Sequence, residues 1–186
     1  MNRDVLIFHG TAGNPQENWF PWLKEKLEKK GCRVFVPQFP TPEGESLGAW
    51  LKVLDGYKQY INKETILIGH SKGGLFLLRV LERLKEPIYA SFFVSAPIGI
   101  KSYVYYNQSY KFAHGFNFDW KTIKSHSQHF TVYHSDDDPY TCLDNGKGLA
   151  KNLGIQLTFI PQAGHFNEKS GYIKFDRLLK DIERIL

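Results

Sequence analysis

Ile66-Leu67-Ile68 is a short apolar run, and Gly69-His70-Ser71-Lys72-Gly73-Gly74 follows it directly before a stretch of helical period that begins at Leu75. A serine two residues after one glycine and two before another, between a strand and a helix, is the arrangement that displays a nucleophile. The turn is sharp enough to push the hydroxyl out of the sheet. Glycines at 69 and 73 remove side chains that would collide where strand and helix pass. The amide of Lys72 is then directed toward a reacting carbonyl. The alternative is a glycine-rich turn without chemistry, because the five-residue pattern alone is weak.

A serine hydroxyl is a poor nucleophile near neutral pH and needs a base. His165, in Gln162-Ala163-Gly164-His165-Phe166, lies after the last strand-like run and before the last helix. Loops at the carboxyl ends of parallel strands are where such sheets display functional groups. The competing reading is a packed or solvated loop histidine. A base of this kind needs an orienting carboxylate, and Ser135-Asp136-Asp137-Asp138-Pro139 follows the fifth strand-like run. The residues alone leave the choice among three adjacent aspartates open, two of them expected to be turn formers or solvated charges. The oxyanion of an acyl-transfer intermediate needs two amide donors. Lys72 supplies one. The other is expected from His9-Gly10-Thr11-Ala12-Gly13, after the first strand, with Thr11 as the donor because it follows the His-Gly pair. Serine, then acid, then histidine is the chain order of the α/β-hydrolases.

These groups need a scaffold that delivers them to one edge. Strand-like runs occur at Val5 to Phe8, Arg33 to Pro37, Thr65 to Gly69, Ala90 to Ser95, His129 to Tyr133 and Gln156 to Ile160. They are near-continuous apolar runs rather than alternating ones, the signature of parallel strands covered on both faces. Helical spacing appears after Pro21 (Leu23, Leu27), over Leu47 to Ile61, over Leu77 to Leu84 and over Phe175 to Leu186. Alternating strand and helix predicts a three-layer α/β domain, with residues 1–186 as one unit. Pro97 to Trp120 breaks the alternation, being rich in aromatics without a clean period. It reads as a long loop over a site, as an irregular packed excursion, or as an association surface.

The net charge of +5 is spread among lysines that often neighbour acids, without a run of five like charges. This is a solvated surface rather than a nucleic-acid footprint. Two cysteines, Cys32 and Cys142, make no disulfide framework and fit a reducing, cytoplasmic setting. The amino-terminal apolar stretch is too short for a signal-peptide core, and no segment has the length of a membrane span. No cofactor is expected, since neither a dinucleotide fingerprint nor a phosphate loop is present. His126, His129 and His134 match no zinc spacing, so no metal is expected either.

The chain resembles the small serine hydrolases of the YdeN and retinoblastoma-binding protein 9 type, within the α/β-hydrolase superfamily. The resemblance spans nearly the whole chain. It is carried by His9-Gly10, by Asn18-Trp19-Phe20-Pro21-Trp22-Leu23, by Gly69-His70-Ser71-Lys72-Gly73, by Ser135 to Tyr140, and by Gly164-His165-Phe166. The Trp-Phe-Pro-Trp-Leu segment is more specific than the serine motif. The resemblance implies about six mostly parallel strands in the order 2-1-3-4-5-6, with little or no cap. It also implies a serine–histidine–aspartate triad, and the family's acid, just before Pro-Tyr, selects Asp138. One departure is Cys142, near which relatives carry a proline. The retinoblastoma-binding motif L-x-C-x-E is absent, so that interaction is not transferred.

The function expected is hydrolysis of an ester or amide-type bond of a small-molecule substrate through an acyl-enzyme, without nucleic-acid or membrane partners. Two other readings stand beside it. One is a catalytically silent binding protein using Tyr103 to Trp120 as its surface. The other is an acyltransferase or thioesterase that keeps the nucleophile and changes the acceptor.

Overall fold

Strand parity explains the layers. Val5 and Ile7 face one side of the sheet together with Ile66 and Ile68, while Leu6, Phe8 and Leu67 face the other. Both sets are fully buried, so neither face is left to water and each must be covered by helices. A computed structural model describes residues 3–100 and 104–186. The strands are β1 (Asp4–Phe8), β2 (Arg33–Phe35), β3 (Ile66–His70), β4 (Ile88–Val94), β5 (Ser127–His134) and β6 (Thr158–Phe159). They form one sheet in the order β2-β1-β3-β4-β5-β6 with every pairing parallel.

The helices are α1 (Phe20–Glu28), α2 (Leu47–Asp55), α3 (Lys72–Leu81), α4 (Tyr106–Ala113), α5 (Trp120–Ser125), α6 (Leu143–Leu153) and α7 (Asp176–Glu183). Helices α1 and α7 cover the first face, through Phe20, Leu23, Leu27, Leu178 and Ile182. The second face is covered by α2, α3, α4, α5 and α6, through residues such as Trp50, Leu77, Phe112, Ile123 and Leu149. The sheet and its two helical layers are the three-layer α/β-hydrolase architecture. Among the described residues no helix is long and apolar enough to cross a membrane.

Register brings the strand ends level. Phe8 pairs with Gly69, His70 with Val94, Val94 with Tyr133, and His134 with Phe159. The segments that follow β1, β3, β5 and β6 therefore leave the sheet along one edge.

Three elements differ from the sequence expectation. The stretch 97–120 contains α4 and leads into α5. Its period is hidden because α4 buries only Ser109, Phe112 and Ala113, while Tyr106 is half-buried and Tyr110 exposed. Phe112 packs edge-on against Trp50, 4.9 Å between ring centroids. Arg79 of α3 holds the exit of the excursion, donating to the carbonyls of Gly115 (2.9 Å) and Asn117 (3.1 Å). The segment is thus packed at Phe112 and at its exit, while Tyr105 lines a cavity; residues 101–103, including Tyr103 of the expected surface, lie outside the described residues. Helix α6 carries Gly146 and Gly148, poor helix formers that masked it. A Cβ at Gly146 would stand 2.5 Å from the His134 Cβ, so glycine there lets α6 dock on β5. The second helix ends at Asp55 rather than Ile61, giving way to a turn and a short 3-10 segment, Lys58–Tyr60.

Candidate active site

Ser71 stands between β3 and α3 with φ +54° and ψ −123°. A non-glycine residue there is strained by roughly 1–3 kcal/mol and persists only where its surroundings over-determine it. They do so here. The Ser71 amide donates to the Val94 carbonyl at 2.8 Å. A Cβ at Gly73 would lie 2.1 Å from the Phe8 carbonyl oxygen, and one at Gly69 2.5 Å from the Gly73 carbonyl oxygen. Backbone therefore passes backbone at distances that only glycine permits, and the serine is levered outward. It lines a cavity of about 360 Å³ together with Gly10, Thr11, Tyr105, Tyr140 and His165.

His165 is placed by a heavily braced loop. Asp136 Oδ1 accepts from the Gln162 amide (2.9 Å), Asp137 Oδ1 from the Gly164 amide (2.7 Å), and Ser135 Oγ from the Ala163 amide (2.9 Å). Two of the three aspartates thus serve the backbone of the histidine loop, a more specific task than the turn-forming or solvated one expected. Asp138 takes the imidazole itself. Its two carboxylate oxygens lie 2.9 and 2.8 Å from His165 Nδ1. Asp138 Oδ1 also accepts from the amides of Tyr140 (2.9 Å) and Thr141 (3.0 Å). Burial by itself raises the Asp138 pKa, but the His165 hydrogen bond and charge and the two amides outweigh it and hold the carboxyl below the usual range. With Nδ1–H donated to this carboxylate, Nε2 is left as the basic nitrogen. Among the described residues no hydrogen bond joins the Ser71 hydroxyl to His165. The two side chains share the cavity wall, and contacts of this type often tighten only when substrate is bound.

The segment after β1 approaches Ser71 closely: a Cβ on Gly10 would come within 2.9 Å of the Ser71 Cβ. His9 fixes this segment. The Phe39 amide donates to its Nε2 (3.0 Å), so Nδ1 carries the proton given to the Gly10 carbonyl (2.9 Å). Burial pushes the His9 pKa down, against the opposing effects of that carbonyl and Glu45, which fits a neutral ring with a fixed tautomer. Thr11 follows at the cavity wall. Lys72 is the first residue of α3, where an amide has no intrahelical acceptor and the helix dipole favours negative charge.

Other residues were not singled out as functional by the sequence reading. His70 is wholly buried, and burial, reinforced by the neighbouring His165, lowers its pKa to about 3. Its neutral Nε2–H donates to the His165 carbonyl (2.8 Å), clamping the backbone of that residue. A histidine ending an apolar strand signals a buried partner, but not which one. His134 Nε2 similarly meets the Thr141 carbonyl (2.8 Å) and steadies the Asp138 loop. The Asn18 to Leu23 motif acquires a reason. Trp19 Nε1 donates to the Phe166 carbonyl (3.0 Å), and Asn18 Oδ1 accepts from the Glu168 amide (2.8 Å), so both hold the histidine loop from a distant part of the chain. Tyr140 lies edge-on to the His165 ring, 4.9 Å between centroids. Among the described residues no group of three or more histidine, cysteine or acidic side chains could hold a metal ion.

Comparison with known proteins agrees with this architecture. A family model described as serine hydrolase matches residues 5–184. The chain is similar to YdeN of Bacillus subtilis (strain 168), 30% identical over 172 residues covering 92% of this chain and 90% of the relative. It is similar to serine hydrolase RBBP9 of Rattus norvegicus, 25% identical with 98% and 95% covered. The crystal structure of the B. subtilis ydeN gene product superposes with a TM-score of 0.91 at 28% identity, covering 99% of this chain and 98% of that one. Est1E from Butyrivibrio proteoclasticus, solved with ferulic acid bound, shares the fold at a TM-score of 0.68 and 14% identity, with 97% and 90% covered.

Proposed function

The chain belongs to the serine hydrolase family, and we propose that within this esterase-like enzyme Ser71 is the nucleophile, His165 the general base and Asp138 the orienting carboxylate. The observation that carries the assignment is the paired contact of His165 Nδ1 with both oxygens of Asp138, at 2.8 and 2.9 Å, beside a strained serine on the same cavity.

The substrate is a small molecule with an ester or amide-type bond. Ser71 Oγ attacks the carbonyl carbon while its proton passes to His165 Nε2. The carbonyl oxygen becomes an oxyanion held by the Thr11 and Lys72 amides. Collapse of the tetrahedral intermediate breaks the bond to the leaving alcohol or amine, which takes the proton from Nε2 and departs. Water then attacks the acyl-enzyme, giving its proton to the same nitrogen. A second collapse releases the acid and returns the proton to Ser71. Asp138 stays ionised throughout and stabilises the imidazolium. The six-stranded sheet draws strands from Asp4 to Phe159, which supports reading residues 1–186 as one catalytic unit. A cytoplasmic setting belongs to the same reading and is supported by a composition with two cysteines in 186 residues.

The test is active-site labelling. A fluorophosphonate probe is expected to modify the wild-type protein and to leave Ser71→Ala unmodified. Folded wild-type protein that does not label would overturn the assignment.

A further inference from the structure

Lys72 contributes more than its backbone. Its side chain is fully buried, though it carries an ammonium group at the edge of a hydrolase core. Such a group is tolerated only with a partner. Lys72 Nζ donates to Glu45 Oε1, and the ammonium also lies 5.4 Å from the centre of the Phe112 ring of α4. The other oxygen of Glu45 accepts from the Thr41 hydroxyl at 2.8 Å. That hydroxyl in turn accepts from the Ala12 amide at 2.9 Å. The chain of bonds therefore starts on the side chain of one candidate oxyanion donor, Lys72, and ends on the amide next to the other, Thr11. Each polar atom in it has a defined role: ammonium to carboxylate, hydroxyl to carboxylate, amide to hydroxyl.

This matters because the two donors come from unrelated segments. One opens α3 and the other lies in the turn after β1. The α3 donor is held rigidly by the glycine contacts under Ser71. The turn holding Thr11 is pinned at its start by His9 on the Gly10 carbonyl, while its far side rests on Ala12, which has φ +54° and donates to Thr41. Stabilising an oxyanion demands donors set within a few tenths of an ångström before the charge develops.

We propose that Lys72, Glu45 and Thr41 form a side-chain relay that sets the Thr11 amide relative to the Lys72 amide, making Thr41 and Glu45 positioning residues for the oxyanion hole. The inference rests on the assignment of those two amides under the proposed function. The relay also ties in the segment 41–46, which carries the cap of α2, and, through Phe112, the helix α4.

The experiment measures p-nitrophenyl acetate hydrolysis and inhibition by phenylboronic acid, whose serine adduct is tetrahedral like the intermediate. Thr41→Val removes the acceptor and keeps the shape. It is expected to lower kcat about tenfold, less than the roughly 10²–10³ for outright loss of a donor. KM should stay within about twofold while the boronate inhibition constant rises about as much as kcat falls. Thr41→Ser keeps the hydroxyl and should recover most of the activity. Glu45→Gln should act in the same direction, and the double variant should fall little below the worse single one, since both break one relay. All variants are read on protein whose far-ultraviolet circular dichroism matches wild type. The relay is overturned if Thr41→Val keeps kcat and boronate affinity within twofold of wild type, or if Thr41→Ser is as impaired as Thr41→Val. Wild-type protein that neither hydrolyses the ester nor labels with fluorophosphonate overturns the triad reading instead.

Discussion

Replacing Asp138 with asparagine isolates the role of one carboxylate among three neighbours. In the native site Asp138 Oδ1 accepts from the Tyr140 and Thr141 amides, and both oxygens face His165 Nδ1. Both amides can only donate, so an asparagine must keep its carbonyl oxygen toward them. Its NH₂ group then turns to His165. A donor facing Nδ1 forces the ring proton onto Nε2, the nitrogen that has to accept the Ser71 proton. The base is present but in the wrong tautomer. Loss of this kind costs about 10⁴ in kcat, or about 5 kcal/mol of transition-state stabilisation. KM should change little, because the carboxylate is buried behind the imidazole and does not line the cavity. Asp136→Asn and Asp137→Asn serve as internal controls. Each keeps an oxygen for its loop amide and loses only the charge on that bond, about 1 kcal/mol, so kcat should stay within about tenfold of wild type. Steady-state hydrolysis of p-nitrophenyl acetate by all three variants decides the matter. If folded Asp138→Asn retained more than about a tenth of the wild-type kcat, or Asp137→Asn fell as far, the assignment of the acid would be wrong.

Two further outcomes follow from the same contacts. His9, His70 and His134 all have lowered pKa values, with burial the leading cause in each. At these three sites the unfolded chain therefore binds more protons than the native one below about pH 6.5, and their contribution to stability falls as pH drops from there. For His70, with a native value of about 3, the loss between pH 7 and pH 5 is about 2 kcal/mol. Asp138, whose native pKa is lowered, contributes stability that is lost only below about pH 4, so it does not offset this loss. Urea unfolding at pH 7 and pH 5 should show a smaller difference in His70→Gln than in wild type, and equal differences would refute the account. Trp19→Phe keeps the ring packing but strands the buried Phe166 carbonyl. A cost of about 1–3 kcal/mol should lower Tm by several degrees, with kcat falling as the His165 loop loosens. An unchanged Tm would show that this bond does not anchor the loop.

Much of the architecture was readable from the chain because local rules and global fold agree. Doubly buried strands leave near-continuous apolar runs, and the serine turn carries glycines wherever backbone crosses backbone. Both signals are one-dimensional. The β1, β3, β4 and β5 runs matched observed strands to within a few residues, and the strand order expected from the family resemblance is the one observed. The elements that escaped are those whose residues answer to distant partners. Helix α6 spends helix propensity on glycines that let it approach His134, and α4 buries a serine where periodicity looks for an apolar residue.

The site divides in the same way. Residue types and chain order were enough to nominate Ser71, His165, Thr11 and Lys72, since a strand-to-helix turn and loops after strands can be recognised locally. The three adjacent aspartates could not be sorted from the residues alone; family likeness chose Asp138, whose carboxylate is the one that meets His165 Nδ1. The reason is geometric. Neighbours in sequence leave a turn in different directions, and only the meeting of the β5 and β6 loops decides which carboxylate reaches the imidazole and which hold its backbone. The same holds for Lys72, whose position beside the serine was plain while its buried partnership with Glu45, 27 residues earlier, was not. Sequence nominated the groups proposed for the chemistry; the packing of distant segments decided how they are held.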